Sequence, residues 1–138
     1  MIVEVSDPAG AETWRYTAGE RDLFTVDESI AIPLGMSFSD DGGLLFVGTK
    51  GRYTSVFNVV TGERLFRLPS GQVNNPVYDD ASERLFTALD NGTVKVWDMV
   101  HEKVKAEFRG PPVWVRWVSL SPDGRTLAVA SYDDVINV

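Results

Sequence analysis

Residues 90–108 read "DNGTVKVWDMVHEKVKAEF". An Asp-Asn-Gly turn leads into a β-rich run at 93–98, and a second short run follows at 103–108. The pattern recurs. Residues 37–68, "SFSDDGGLLFVGTKGRYTSVFNVVTGERLFRL", lie over 77–108, "VYDDASERLFTALDNGTVKVWDMVHEKVKAEF", at an offset of 40. Leu45-Phe46 then meets Leu85-Phe86, Val56-Phe57-Asn58 meets Val96-Trp97-Asp98, and Leu68 meets Phe108. A third copy, "VSLSPDGRTLAVASYDDVINV" (118–138), fits at an offset of 42, with Leu127 on Leu85 and Val138 on Val96. A fixed period of this length marks a repeat architecture.

Each copy reads as four short strands. Strand a covers 32–39, 73–79 and 113–120. Strand b covers 44–49, 84–89 and 126–131. Strand c covers 54–59, 93–98 and 134–138. Strand d covers 63–68 and 103–108, and the third copy lacks it. The turns "SDDGG", "SPDG" and "DNG" place Asp, Asn, Pro and Gly where hairpins need them. Gly42, Gly92 and Gly124 stand where a positive φ is expected. No sustained 3.6-residue stripe supports a helix.

Composition narrows the function classes. The chain is 43% hydrophobic and 24% charged, as in a folded globular protein. No apolar run approaches the ~18 residues of a membrane span, and the N-terminus "MIVEVSDPAG" lacks the basic region of a signal peptide, which points to the cytoplasm. There is no Cys and a single His, His101. Thiolate sites, two-His zinc sites and His-dependent dyads therefore have almost no material, and no cofactor or metal is expected. A net charge of −7 opposes binding to nucleic acid or an anionic membrane. Residues 1–30 hold seven acids (Glu4, Asp7, Glu12, Glu20, Asp22, Asp27, Glu28) against Arg15 and Arg21. They read as a solvated arm, or as a docking surface for a basic partner.

The residues quoted so far resemble WD40 repeats, the four-stranded blades of a β-propeller. The Trp97-Asp98 pair, the "SPDGR" hairpin (121–125), Thr61-Gly62 in a turn between strands c and d, and the period of about 40 carry the resemblance. It covers residues 30–138, and 2–18 more weakly. It implies an all-β fold of antiparallel four-stranded blades, about three of them, as an open arc or part of a closed ring. The sequence departs from the family in lacking the Gly-His pair ahead of strand a. In the family that His joins the Trp of strand c, a Ser or Thr of strand b and an Asp of the b–c turn in one hydrogen-bonded network. Here Trp97 and Asp90 are present, Leu89 stands near the Ser/Thr position, and the network is expected to be partial. Phe57-Asn58 replaces Trp-Asp in the first copy, so the repeats read as divergent and of prokaryotic type.

The start of the chain aligns too, with Val5 on Val96 and Asp7 on Asp98. The expected organisation is a single WD40-like segment over 1–138. Residues 2–18 would form late strands of a first blade, 30–69 and 72–110 two blades, and 113–138 an incomplete one. Three blades do not close a ring, since propellers need roughly four to eight. The favoured expectation is a piece of a longer propeller. Two chains closing one ring through their open blade edges, and an arc that stands alone or packs on another domain, stay open as alternatives.

Candidate binding residues follow from what the resemblance implies about the partner-holding surface, where strands a begin and b–c turns lie. In "PPVWVRWVSL" (111–120), alternation places Trp114, Arg116 and Val118 on one face and Val115, Trp117 and Ser119 on the other. Either both Trp side chains pack between blades, or Trp114 and Arg116 reach that surface as interface anchors. "TKGRYTS" (49–55) offers Lys50, Arg52 and Tyr53 as a basic, aromatic knob, read as a solvated hairpin tip or a contact for an acidic or phosphorylated peptide. Tyr132, followed by Asp133-Asp134, occupies the matching place in the third copy. Trp97, Asp98, Asp90, Gly92 and Gly124 are assigned structural roles. The pairs Asp40-Asp41 and Asp79-Asp80 could suggest calcium, but turn chemistry explains them. His101 is expected to be exposed and without a role.

The expected function is a non-enzymatic protein-interaction scaffold. Its partner is an unspecified protein or peptide, and self-association through open edges remains possible. The rivals are a propeller-class enzyme of lactonase or quinoprotein type, and a structural module that positions a fused catalytic domain. Fold by itself does not choose among them.

Overall fold

The computed structural model describes residues 2–6, 13–17, 32–110, 113–133 and 135–138. Among these no helix occurs, and none is long and apolar enough to cross a membrane. The chain divides into two compact units, Met1–Ala31 and Ile32–Val138. In the first, β1 (Ile2–Ser6) pairs antiparallel with β2 (Thr13–Thr17), Val3 facing Tyr16 and Val5 facing Trp14. The rest of the acidic arm lies outside the described residues.

The second unit is three consecutive antiparallel meanders. The first sheet is β3 (Pro33–Phe38), β4 (Leu44–Thr49), β5 (Thr54–Asn58) and β6 (Arg64–Leu68). The second is β7 (Val73–Asp79), β8 (Arg84–Leu89), β9 (Thr93–Asp98) and β10 (Lys103–Arg109). The third has three strands, β11 (Val115–Leu120), β12 (Leu127–Ser131) and β13 (Ile136–Asn137). These are blades of a partial propeller. The last strand is shorter than the 134–138 expected, and residue 134 lies outside the described set.

Tight turns set this meander. Gly42, Gly92 and Gly124 take φ of 71°, 83° and 67°, a region where a Cβ would clash with backbone. In the first and third sheets the a–b hairpin repeats one device. Ser39 Oγ bonds Asp41 at 2.6 Å, and Ser121 Oγ bonds Asp123 at 2.5 Å. The same carboxylates accept from Gly43 N–H at 2.8 Å and Arg125 N–H at 3.1 Å.

Two apolar seams join the sheets. Phe46, Val56 and Leu68 of the first sheet pack against Leu85 and Trp97 of the second, with Tyr78 stacked on Phe46 at 4.5 Å between ring centroids. Ala88 and Val94 of the second sheet pack against Val115 and Val118 of the third. The strands nearest the seam differ in how they meet. At the first seam a Cβ on Gly35 would lie 2.2 Å from the Asn74 carbonyl oxygen, so backbone meets backbone where only glycine fits. At the second, Asn74 and Asn75 donate their side-chain amides to the carbonyls of Val115 and Val118 at 2.7 and 2.9 Å.

Strand a of every sheet carries a register shift in the same place, between Pro33 and Gly35, Val73 and Asn75, and Val115 and Trp117. The extra residue is Leu34, Asn74 or Arg116. This corrects the alternation expected for 114–119. Val115 and Val118 are both buried at the second seam, while Arg116, Trp117 and Ser119 are exposed. A bulge puts two residues opposite one and so shifts the two-residue period.

Candidate partner-binding surface

The strand order gives each sheet two edges. At the upper edge strand a begins, strand b ends and the b–c turn crosses between strands. At the lower edge lie the a–b and c–d turns.

The register pair Val115↔Ser131 brings the next residues, Trp114 and Tyr132, side by side at the upper edge of the third sheet. Tyr132 N–H donates to the Trp114 carbonyl at 3.0 Å. The two rings meet edge to face, 5.9 Å apart and at 86°. The bulge then aims Arg116 over Tyr132, with its guanidinium carbon 4.9 Å from the ring centroid. Trp114 is 57% exposed and Tyr132 56%. Rings that hold one another in place while facing water lose little freedom on binding, which suits them as anchors. Trp117, 58% exposed, lies on the opposite face of β11 from Val118, so neither Trp packs into the seams described above.

The knob of the first sheet is more tied down. Thr49 Oγ1 donates to the Tyr53 carbonyl at 2.9 Å, and Gly51 N–H donates to Thr49 Oγ1 at 3.1 Å. Lys50 N–H donates to the Ile32 carbonyl at 2.8 Å, and the Arg52 carbonyl accepts from Gly71 N–H at 3.0 Å. Arg67 of β6 reaches over the Tyr53 ring at 5.5 Å, a partner that sequence reasoning passed over. Lys50, Arg52 and Tyr53 thus share the upper edge with Trp114, Arg116 and Tyr132, but they sit on the first sheet and the others on the third.

In the second sheet the indole N–H of Trp97 donates to Thr87 Oγ1 at 2.9 Å, both side chains buried. This corrects the placement of the Ser/Thr position at residue 89. Thr87 and Leu89 point the same way from β8, and the indole reaches the lower of the two. Asp90 stands at the head of the b–c turn, half-buried. Asn91 Oδ1 accepts from Thr93 N–H at 3.1 Å. Asp98 caps the c–d turn, accepting from the backbone of Val100 and His101 at 3.1 Å each, while the exposed His101 ring lies 3.0 Å from its other oxygen.

Several carboxylates meet at the lower edge. Asp40, Asp41, Asp79, Asp80 and Asp123 gather in the lower turns, where Asp40 N–H donates to Asp80 Oδ2 at 2.7 Å. Hydrogen bonds from Ser39 and Gly43 hold the Asp41 carboxyl below its ordinary range, and those from Ser121 and Arg125 do the same for Asp123. His101 lowers Asp98 likewise. Burial and nearby carboxylates, Asp80 first, push the Tyr78 phenol up. Among the described residues no group of three or more His, Asp or Glu is placed to hold a metal ion. The upper edge carries Lys50, Arg52, Arg67, Lys95, Arg109 and Arg116 beside the acids Asp90, Glu107 and Asp133.

Residues 102–138, which span β10 and the whole third sheet, match the family described as WD domain, G-beta repeat. The chain belongs to the WD40-repeat family. The WD40 segment is 28% identical over 140 aligned positions to apoptotic protease-activating factor 1 of Danio rerio, covering 99% of this chain and 11% of that protein. It is 30% identical over 105 positions to the protein of the same name from Mus musculus, covering 74% of this chain and 8% of that protein. The chain therefore spans about a tenth of the length of these relatives. WD40 repeats support a protein-interaction scaffold role.

Proposed function

We propose that this WD40 segment is a non-enzymatic scaffold that holds a protein or peptide at its upper edge, with Trp114, Tyr132 and Arg116 as the main anchors. The observation that carries the reading is the mutual fixing of these three exposed side chains. Lys50, Arg52 and Tyr53 form a second contact area on the first sheet. The one His lies against Asp98 in a c–d turn at the lower edge, away from these anchors. We assign residues 2–18 to the late strands of one blade, 30–69 and 72–110 to two blades and 113–138 to a further incomplete one. A ring completed by more blades, from a longer polypeptide or a second copy, would cover the exposed Met36 and Phe38 of the first sheet and the exposed Trp117 and Ile136 of the third. The cytoplasm is the compartment that fits the composition.

The test is affinity for a partner identified by crosslinking to the intact chain and then purified. Trp114→Ala and Tyr132→Ala should each weaken binding by about tenfold or more, the range of an interface hot spot. Unchanged affinity in variants that remain folded would overturn the assignment. A second reading, a module positioning a fused catalytic domain, is favoured by the small share of its relatives that this chain spans. Activity of a neighbouring domain that survives Trp114→Ala but fails when the blades are unfolded would select it.

A further inference from the structure

The second sheet carries a cavity of about 400 Å³ at its upper edge, lined by Leu89, Asn91, Thr93, Lys95, Glu107, Arg109 and Gly110. The pairs Thr93↔Arg109 and Lys95↔Glu107 put these four side chains on one face. It is the face that Trp97, two residues along from Lys95, turns toward the first sheet. Asn91 spends its Oδ1 on Thr93 N–H, which leaves its NH2 group as a donor.

Glu107 stands between two cations, 3.9 Å from Lys95 Nζ and 3.7 Å from Arg109. Charge-assisted hydrogen bonds run at about 2.7–2.9 Å. Glu107 therefore offsets one positive charge without satisfying the donors of either cation. The Lys95 side chain is 21% exposed, and its ammonium lies 5.8 Å over the Trp97 ring. Water is partly excluded around it, so an anion arriving there is attracted more strongly than at an open surface.

We propose that this cavity binds a phosphoryl group, a dianionic phosphate monoester or free phosphate, between Lys95 and Arg109. Two cations and the Asn91 and Thr93 donors suit a dianion with three acceptor oxygens better than the single, poorly placed carboxylate of Glu107. The dianion displaces Glu107 from between the cations. The proposal deepens the reading of the upper edge as a binding surface, rests on that reading, and names the phosphoryl group as the chemistry this part of the edge takes.

The test is titration of the 15N-labelled 138-residue chain with inorganic phosphate and with N-acetyl-phosphoserine-N-methylamide, followed by amide shifts. Shifts should centre on Asn91, Thr93, Lys95, Arg109 and Gly110. Lys95→Ala and Arg109→Ala should each weaken binding by about tenfold. Glu107→Gln, which removes the internal competitor while keeping the shape, should strengthen it severalfold. Tighter binding of the phosphoserine derivative than of inorganic phosphate identifies a peptide-borne group, and the reverse order identifies free phosphate. Shifts scattered over Lys and Arg residues generally, or equal affinity in wild type and Lys95→Ala, would overturn the proposal. No protein partner enters this measurement, so its outcome is independent of the Trp114 and Tyr132 test.

Discussion

The indole N–H of Trp97 donates to the hydroxyl of Thr87 across adjacent strands at 2.9 Å, inside the seam between the first and second sheets. Both side chains are at most 2% exposed. Thr87→Val keeps the shape of the side chain and strands the indole donor. It should cost about 1–3 kcal/mol, the desolvation cost of an unpaired buried polar group. Urea unfolding of the two proteins measures it. A double-mutant cycle with Trp97→Phe should show coupling, since either change alone removes the same bond.

Gly35 and Gly42 should respond differently to alanine. At Gly35 the new Cβ would meet the Asn74 carbonyl oxygen at 2.2 Å, a backbone atom that cannot step aside. The first seam must then open, at a cost of about 1–3 kcal/mol. At Gly42 nothing lies within 4 Å and the cost is that of φ at 71° alone, about 1–2 kcal/mol. Asn at position 42 should recover part of that loss, because Asn tolerates this region, while Asn at 35 should recover none. Thermal melts of the four variants separate packing from backbone conformation.

The second seam rests on side-chain amides. Asn75→Ala removes the donor to the Val118 carbonyl and should destabilise by about 1–3 kcal/mol. Hydrogen exchange gives a sharper readout than the melt. Amides of β11 and β12 should exchange faster, while those of β4 and β5 should change little, since local opening follows the element that lost its tie.

Stability should fall at both ends of the pH scale. Asp41, Asp98 and Asp123 have carboxyl pKa values lowered by turn hydrogen bonds. A lowered pKa gives stability that is present above the unfolded value, about 3.9, and lost as pH falls through the folded one. Tyr78 has a raised pKa. Its contribution is present below the unfolded value of about 10 and lost as pH rises through the folded one. Tyr78→Phe should therefore flatten the alkaline limb of a melting-temperature profile and leave the acid limb unchanged.

Much of this architecture was legible in the chain because repeats and turns are local signals. The offset of 40 between 37–68 and 77–108, with Asp, Asn and Gly in the turns, fixed strand number and order. Each hairpin is closed by residues a few positions apart, so the information lies within a short window. The candidate surface was legible only in part. Trp114, Arg116 and Tyr132 could be singled out by type, but their convergence depends on the bulge between Val115 and Trp117 and on the pairing of Val115 with Ser131. Neither leaves a mark in the sequence pattern. The partnership of Trp97 with Thr87, the approach of Gly35 to Asn74 and the cavity between Lys95 and Arg109 are likewise contacts across strands or sheets. The sequence by itself determined the blades, because backbone conformation and two-residue alternation are written residue by residue. Only the tertiary structure decided which side chains share a seam, an edge or a cavity, because a single extra residue in one strand rotates everything around it to a different neighbour.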